Sequence, residues 1–260
     1  MHKLYENGVG EMNGMLILDD HRYVYTQKYL ENKGYTFYAE KPLDFIIFPF
    51  KEKVCENTYG HDFFANLGPK TLMFSGVNND YLKAQSEAFG LKYHVMMDDF
   101  GTTVKNAVPT SEGVIAYLVQ NMQRTIANSK LLVVGYGICG RDLAKRLLAL
   151  GAKTHALVRN RDKECTAEAD GVQPLYKLEE CKFDAIVNTV PSQVMTNEML
   201  DRVGDTLMID IASAPYGFDI EHAKKHNARS ALLPGIPGKF AFKTAGETLG
   251  EYIWILCERE

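Results

Sequence analysis

The stretch "KLLVVGYGICGRDLAKRLLALGAKTHALVR" (130–159) decides the fold of this chain. An apolar run comes first, then the pattern Gly135-x-Gly137-x-x-Gly140, and then apolar residues at helical spacing. In dinucleotide-binding loops, the first glycine allows a tight turn, the second lets a pyrophosphate approach the backbone, and the third lets the helix pack on the strand. This strand–turn–helix order therefore predicts a Rossmann domain whose helix start binds phosphate.

The end of the next predicted strand indicates which dinucleotide is bound. NAD-binding domains usually carry Asp or Glu there, which accepts a hydrogen bond from the ribose 2′-hydroxyl. This chain has "LVRNRD" (157–162), with Arg159 at the strand end and Arg161 close by. A guanidinium cannot accept a hydrogen bond, but it can donate two to a 2′-phosphate. We therefore predict NADP rather than NAD, although Asp162 would favour NAD if it reached the ribose.

The predicted cofactor-binding residues lie in the glycine loop and at three further strand ends. They are Gly135, Tyr136, Gly137, Ile138, Cys139, Gly140, Arg159, Asn160, Arg161, Thr189, Val190, Pro191, Ala212 and Ser213. The last five belong to "NTVP" (188–191) and "DIAS" (210–213), which follow predicted strands of the same sheet, so we expect them to face the nicotinamide. The Cys139 side chain is predicted to pack over the helix start rather than to act as a nucleophile.

Strand and helix patterns alternate along the chain, which predicts an α/β fold with two domains. We assign residues 1–108 to a flavodoxin-like or Rossmann-like substrate domain, 109–128 to a long bridging helix and 129–243 to the Rossmann domain. The final helix, 244–260, is predicted to pack back on the first domain. The bridging helix is predicted to begin at Pro109, because proline disfavours helix before it, with Thr110 or Ser111 as its N-cap.

Composition excludes several classes of function. The 29 Lys and Arg against 33 Asp and Glu give a net charge of −4, and without a basic stripe we expect no nucleic-acid partner. No apolar run is long enough for a membrane span, and the N-terminal stretch lacks the apolar core of a signal peptide. The five cysteines form no CxxC pair, which favours free thiols in a reducing cytoplasm. We predict no metal site.

Six motifs together resemble one family. They are "FSGVNNDYL" (74–82), "NAVPTSEGVIAYLVQN" (106–121), the glycine loop with its helix, "NTVPS" (188–192), "DIAS" (210–213) and "LPGIPGKFAFKTAG" (233–246). In order and spacing they look like the A subunit of dipicolinate synthase, from about residue 71 onwards.

The resemblance implies an NADP-dependent oxidoreductase in the cytoplasm of the mother cell of a spore-forming bacterium, active in sporulation. It would oxidise a dihydrodipicolinate-level intermediate, derived from 4-hydroxy-tetrahydrodipicolinate, to dipicolinate. Its implied partner is a flavoprotein-like B subunit, and we expect a homo-oligomer.

Two departures from the family pattern leave alternatives open. The family usually has a glycine-bearing turn after the first strand, where this chain has "LDDHR" (18–22), and an arginine where this chain has Ala214. The lost arginine keeps open a regulatory subunit that binds a nucleotide without turnover. A third reading is a D-2-hydroxyacid-dehydrogenase-like oxidoreductase acting on another small carboxylate. In that family a catalytic base follows the last strand, where this chain has Lys239 and Lys243 but no histidine.

The residues predicted to act on the substrate are Lys243, Glu112 and Ser111. Lys243 could bind a carboxylate, or act as base if burial lowers its pKa, and Glu112 could accept a proton. Thr110, Ser111 and Glu112 are placed at the predicted helix start, where free N–H groups would bind a carboxylate. The predicted substrate-binding residues are Ser75, Gly76, Asn78, Thr110, Ser192 and Lys239. His61 and His94 are expected to have surface or packing roles.

Overall fold

The computed structural model describes residues 12–38, 42–50, 53–178, 182–226 and 229–259. The chain forms two compact units, one of Met1–Lys105 with Phe242–Glu260 and one of Asn106–Ala241. Within the described ranges, no helix has the length and apolar character needed to cross a membrane. The cysteines of these ranges are free thiols, and Cys181 lies outside them.

The first unit is built on a parallel sheet. Its strands are β1 (Gly14–Leu16), β2 (Phe45–Ile47), β3 (Leu72–Ser75) and β4 (Lys92–Val95), which pair in the order β1-β2-β3-β4. Its helices are α1 (His21–Glu31), α2 (His61–Ala65), α3 (Asp80–Phe89) and the beginning of α4 (Phe100–Asn121). An isolated parallel bridge joins Asn13 to Thr36 on the other side of β1. Successive strands are therefore added on one side of β1 first and then on its other side, as in flavodoxin-like folds.

The segment "YTFYA" (35–39) pairs with β1 only through that bridge, and Ala39 lies outside the described residues. The Asn13 side chain takes the place of strand partners. Its Oδ1 accepts from the Tyr38 N–H at 2.8 Å, and its Nδ2 donates to the carbonyls of Tyr38 at 3.0 Å and Pro42 at 3.1 Å. These side-chain hydrogen bonds satisfy the backbone groups of Tyr38 and Pro42 that a neighbouring strand would otherwise satisfy.

The second unit is a larger parallel sheet with helices on both faces. Its strands are β5 (Lys130–Val134), β6 (Lys153–Leu157), β7 (Gln173–Leu175), β8 (Ala185–Asn188), β9 (Leu207–Asp210) and β10 (Arg229–Leu232). Between them lie α5 (Ile138–Ala149), α6 (Arg161–Ala169), α7 (Asn197–Leu200) and α8 (Ile220–Lys225).

The strands of the second unit pair in the order β10-β9-β8-β5-β6-β7. Alternate residues of β5 face two different cores, with Leu131 and Val133 on one side and Leu132 and Val134 on the other. The strand order reverses between β5 and β8, which is the position where such sheets bind ligands. The predicted α/β class, with a flavodoxin-like and a Rossmann domain joined by a long helix, is confirmed.

Helix α4 begins at Phe100, so the helix start predicted at Pro109 is wrong. The first turn is instead capped by Asp99, whose Oδ2 accepts from the Thr102 N–H at 2.7 Å. Proline inside a helix removes one hydrogen bond and crowds the carbonyl four residues back. The burial of Val114 and Leu118 in the core of the second unit outweighs that cost.

The last helix, α9 (Phe242–Cys257), packs in the first unit against α1. A Cβ added at Gly246 would lie 2.2 Å from the Arg22 carbonyl oxygen, and the Thr26 hydroxyl donates to the Gly246 carbonyl at 2.9 Å. Gly250 meets the Tyr29 side chain in the same way. The glycine of "KTAG" is therefore a packing residue, which lets the two helices approach closely.

We expect Gly246→Ala to lower the free energy of unfolding by about 1–3 kcal/mol, because the new methyl group collides with the α1 backbone. The loss would occur although alanine is the better helix former. Urea denaturation measures it. The control is Glu247→Ala on the same helix, which should change stability by less than about 0.5 kcal/mol. Equal stability of the two variants would contradict the close helix contact.

Candidate functional site

Two glycines of the loop are required by packing at the β5–β8 junction. Gly135 has φ of 92°, and a Cβ there would lie 2.4 Å from Cγ2 of Val190. A Cβ at Gly140 would lie 2.2 Å from the Gly135 carbonyl oxygen and 3.0 Å from Oγ1 of Thr189. A side chain at either position would push α5 away from the sheet.

The middle glycine faces open space. Gly137 precedes α5 in an extended conformation, and among the described residues nothing lies within 4 Å of a Cβ built there. No side chain in the same ranges caps the first N–H groups of α5. An uncapped helix start with free space in front of it accepts an anionic group. The loop therefore fits the pyrophosphate of a dinucleotide.

The side chain of Tyr136 does not face this space. It is buried in the core, and its hydroxyl donates to Oδ2 of Asp170 at 3.0 Å. The Arg141 guanidinium binds both oxygens of Asp170, at 2.6 and 3.0 Å, and holds the pKa of that carboxyl below its usual range. Burial raises the pKa of Tyr136, which stays protonated. Tyr136 therefore contributes its backbone to the loop and anchors the loop to the end of α6.

The end of β6 lies beside the loop, because the Gly135 N–H donates to the Leu157 carbonyl at 3.0 Å. Arg159 and Arg161 follow with exposed side chains. Asn160 is the N-cap of α6, and its Oδ1 accepts from the Lys163 N–H at 3.1 Å. The position of the two arginines allows the predicted contact with a 2′-phosphate.

Asp162 lies in the first turn of α6, a position where acidic residues favour helix formation. That position in the helix gives it a structural role independent of any ribose contact.

A buried pair connects the next two strand ends, and the sequence predictions do not include it. Asn188 and Asp210 are both almost fully buried, and Nδ2 of Asn188 donates to Oδ1 of Asp210 at 3.0 Å and to the Val190 carbonyl at 3.0 Å. Asp210 also accepts from the N–H groups of Ala212 at 2.9 Å and Gly217 at 2.7 Å. Polar residues ending two adjacent apolar strands were the available signal.

This pair fixes the predicted nicotinamide-side residues. Thr189 donates its hydroxyl to the Val134 carbonyl at 2.9 Å, and Val190 donates its N–H to Oδ1 of Asn188 at 3.2 Å. Pro191 and Ser192 continue into an exposed turn. On the neighbouring strand Ala212 is buried, and the following residues, Ser213 and Ala214, are exposed. These loops meet along one edge of the sheet, beside the glycine loop.

The predicted residues of α4 lie in the middle of that helix. Thr110 donates its hydroxyl to the Asn106 carbonyl at 2.8 Å, so it does not cap a helix start. Glu112 is exposed and lies 3.5 Å from an Arg146 nitrogen. The predicted carboxylate site at free N–H groups is therefore wrong, because α4 begins at Phe100, well before Thr110.

Ser111 differs from its neighbours. Its side chain is buried, and its hydroxyl has no hydrogen-bond partner in the part of the chain that the structure describes. Nearby, a Cβ at Gly113 would lie 2.2 Å from Cγ2 of Ile236, in a short 3-10 helix at Ile236–Gly238. The motifs "PTSEG" and "PGIPG" therefore lie together, and Lys239 follows them with an exposed side chain.

The remaining predicted substrate residues belong to the first unit. Ser75 is buried, and its hydroxyl is bonded to the Tyr93 hydroxyl at 2.6 Å and the Val77 carbonyl at 2.7 Å. Gly76 packs under the ring of Phe50. Asn78 is exposed.

Lys243 lies in the first turn of α9, rather than in the loop predicted before it. Its side chain is 67% exposed and 3.9 Å from the Glu247 carboxylate. The burial that the sequence prediction requires of a catalytic base is therefore not seen at this position.

Three further side chains take the roles expected for them. Burial raises the pKa of the Cys139 thiol, so it remains protonated and packs at the helix start. His94 stacks on Phe74, and burial lowers its pKa. His61 lies on the surface beside Asp62.

Comparison with known proteins identifies a domain of the chain and shows which proteins it is similar to. Residues 107–208 match the family model of the D-isomer specific 2-hydroxyacid dehydrogenase NAD binding domain. The chain is 31% identical over 188 residues to the A subunit of dipicolinate synthase from Bacillus subtilis (strain 168). That alignment covers 70% of this chain and 63% of the relative, so it spans less than two thirds of that protein.

Solved structures agree over nearly the whole chain. The A chain of dipicolinate synthase from Bacillus subtilis superimposes with a TM-score of 0.87 and 25% identity, over 96% of this chain and 97% of that one. The corresponding protein from Bacillus halodurans has the same fold, with a TM-score of 0.85 and 24% identity over 95% and 97% of the two chains. In sequence and in fold, the chain is therefore similar to the A subunits of dipicolinate synthase.

Proposed function

We propose that this protein is an NADP-dependent dehydrogenase of the dipicolinate synthase type. Its substrate is a dihydrodipicolinate-level intermediate, derived from 4-hydroxy-tetrahydrodipicolinate, and its product is dipicolinate. One observation carries the proposal: an uncapped helix start with open space at Gly137, at the switch point of the sheet. The named relative from Bacillus subtilis supplies the substrate class.

The cofactor would be held by the backbone of residues 135–140 and by the loops after β8 and β9. A nicotinamide cofactor supplies a hydride acceptor at this edge of the sheet. The chain's own contribution is to fix the geometry of the loops around it. The hydrogen bond from Asn188 to Asp210 and the one that Asp210 accepts from the Ala212 N–H hold both loops, so little reorganisation is needed when the cofactor and substrate bind.

Support for NADP rather than NAD comes from the two exposed arginines after β6. Arg159 and Arg161 present positive charge next to the glycine loop, whereas Asp162 lies in the first turn of α6. A 2′-phosphate gains charge-assisted hydrogen bonds from guanidinium groups.

Substrate recognition is assigned to the hydroxyl of Ser111, with Thr110 beside it. Ser192 and Lys239, which are exposed residues of the same unit, are proposed as further contacts to the substrate. A buried hydroxyl without a partner is costly unless a ligand completes it. Because Ala214 carries no charge, lysines would have to supply the positive charge that the two carboxylates of the substrate require.

Oxidation to the aromatic ring also requires loss of a proton, and loss of water when the substrate is the hydroxylated form. Glu112 remains the proposed acceptor of that proton, whereas the exposed Lys243 lacks the burial that this role requires. The Arg146 guanidinium lies 3.5 Å from the Glu112 carboxylate. Aromatisation provides the driving force, so orientation and one base suffice.

A flavoprotein-like B subunit is proposed as the partner, because the relative from Bacillus subtilis is itself one part of a larger enzyme. A homo-oligomer is proposed as well.

The second candidate is oxidation of a D-2-hydroxyacid, which the matched family model favours. The loop after β10 carries Lys239 and no histidine, so this reaction would need a different base.

A coupled assay tests the proposal. Enzymatically made 4-hydroxy-tetrahydrodipicolinate is supplied with NADP, in the presence or absence of the B subunit. NADPH and dipicolinate are followed together, and we expect both to rise in equal amounts. No product in either mixture contradicts the proposal. Turnover of a D-2-hydroxyacid would support the second candidate, and nucleotide binding without turnover would indicate a regulatory role.

We expect Arg159→Ala to weaken NADPH binding by about 10- to 100-fold, since two charge-assisted hydrogen bonds are lost. Binding of NADH should change by less than about twofold. Fluorescence titration of the bound dinucleotide measures both. Arg124→Ala, which removes an exposed arginine elsewhere in the same unit, is the control. A similar loss for both nucleotides would refute the 2′-phosphate role.

We expect Ser111→Ala to raise the KM for the dicarboxylate by about tenfold, because one hydrogen bond to the substrate disappears. Stability should stay equal or increase, since a buried hydroxyl without a partner is removed. Ser230→Ala is a matched control, because its Oγ is also buried and unpartnered among the described residues. An unchanged KM in Ser111→Ala, or an equal rise in both variants, would exclude Ser111 from the substrate site.

A further inference from the structure

Two helices of the second unit bring together three side chains that can bind a metal ion. His222 lies in α8 and His226 caps its C-terminal end, while Asp201 caps the end of α7. The spacing His-x-x-x-His places both imidazoles on one face of a helix. One ligand atom from each of the three residues lies within 4.8 Å of the other two.

The distances between these atoms are close to those of a tetrahedral site. Nε2 of His222 is 2.7 Å from Oδ1 of Asp201, and Nδ1 of His226 is 3.4 Å from the same oxygen. The two imidazole rings are stacked, with centroids 4.5 Å apart. Zinc with bonds of about 2.0–2.1 Å separates neighbouring ligand atoms by about 3.3 Å. A small rotation of the Asp201 and His222 side chains would therefore lengthen the distance between their ligand atoms enough to place an ion between them.

The backbone that carries these side chains is already fixed. Oδ1 of Asp219 caps α8 by accepting from the N–H groups of Glu221 and His222, both at 3.0 Å. Ala223 in α8 and Leu200 in α7 are fully buried in the same core. The ligands would thus be held by two anchored helices rather than by loops, which lowers the entropic cost of binding.

We propose that Asp201, His222 and His226 form a site for a divalent transition-metal ion, with Zn²⁺ as the expected ion. Two imidazole nitrogens and one carboxylate oxygen are a donor set that zinc binds in proteins, and water completes the fourth position because the group is solvent-accessible. Magnesium and calcium prefer sets made of oxygen alone. The bound ion ties α7 to α8.

The site is separate from the proposed cofactor site. His226 lies just before β10 and Asp201 lies before β9, so the group is at the amino-terminal edge of the sheet. The glycine loop and Asp210 follow the carboxyl ends of their strands. The ion therefore has a structural role at the opposite edge, and its loss would affect stability before chemistry. The His-x-x-x-His spacing is its signal in the sequence, and the prediction of no metal site does not take it into account.

Isothermal titration of the untagged full chain with ZnCl₂ tests the proposal. We expect one bound ion per chain and an increase in the melting temperature. Affinity should fall at least about tenfold in each of His222→Gln, His226→Gln and Asp201→Asn. Far-UV circular dichroism checks that the variants are folded. His61→Gln is the matched control, because His61 is also an exposed histidine beside an aspartate, with 3.6 Å between them.

Two results would overturn the proposal. One is the absence of stoichiometric zinc binding, which would leave the three residues as an ion pair. The other is binding that the three variants do not weaken, or that His61→Gln weakens equally. Cobalt provides a second readout, since a Co²⁺ ion bound by imidazole nitrogens gives visible absorption that the variants should lose.

Discussion

The second unit depends on one steric constraint: α5 must begin against the ends of β5 and β8 without a side chain between them. Gly140 touches the Gly135 carbonyl, and Gly135 touches Thr189 and Val190. This contact sets the distance from helix to sheet, and it leaves Gly137 as the point where backbone faces solvent. The packing that closes the core therefore also forms the place where a phosphate can bind. The same glycine loop serves both the fold and the binding site.

Around that point the chain relies on buried hydrogen bonds and on the ion pair between Arg141 and Asp170. Asp210 accepts hydrogen bonds from three N–H groups and Asn188 connects two loops, so the loops at this edge of the sheet are held in place without a ligand. Tyr136 and Arg141 fasten the glycine loop through Asp170. Such a preformed edge suits a reaction that needs orientation more than conformational change. Ser111 is the contrasting element, because its hydroxyl is buried without such a partner among the described residues.

The parts of this fold that follow local patterns could be predicted from the sequence. The Rossmann strands and the glycine loop have apolar runs and turn residues that no other arrangement explains. The start of α4 could not be predicted in this way. Pro109 is a strong local signal for a helix start, whereas the burial of α4 that outweighs it is a tertiary effect. Asn188 and Asp210 each end an apolar strand, which the sequence shows, but their contact depends on the pairing of β8 with β9, which spacing along the chain does not reveal.

The position of α9 has a consequence for how the chain is made. Leu249 and Ile253 belong to the same core as Tyr23, Leu30 and Phe45, so the first unit lacks part of its interior until α9 has been synthesised. The second unit is continuous in sequence and contains all of its own strands. On the ribosome, where domains fold as units, the middle of the chain can therefore fold while the N-terminal part still waits for its last helix.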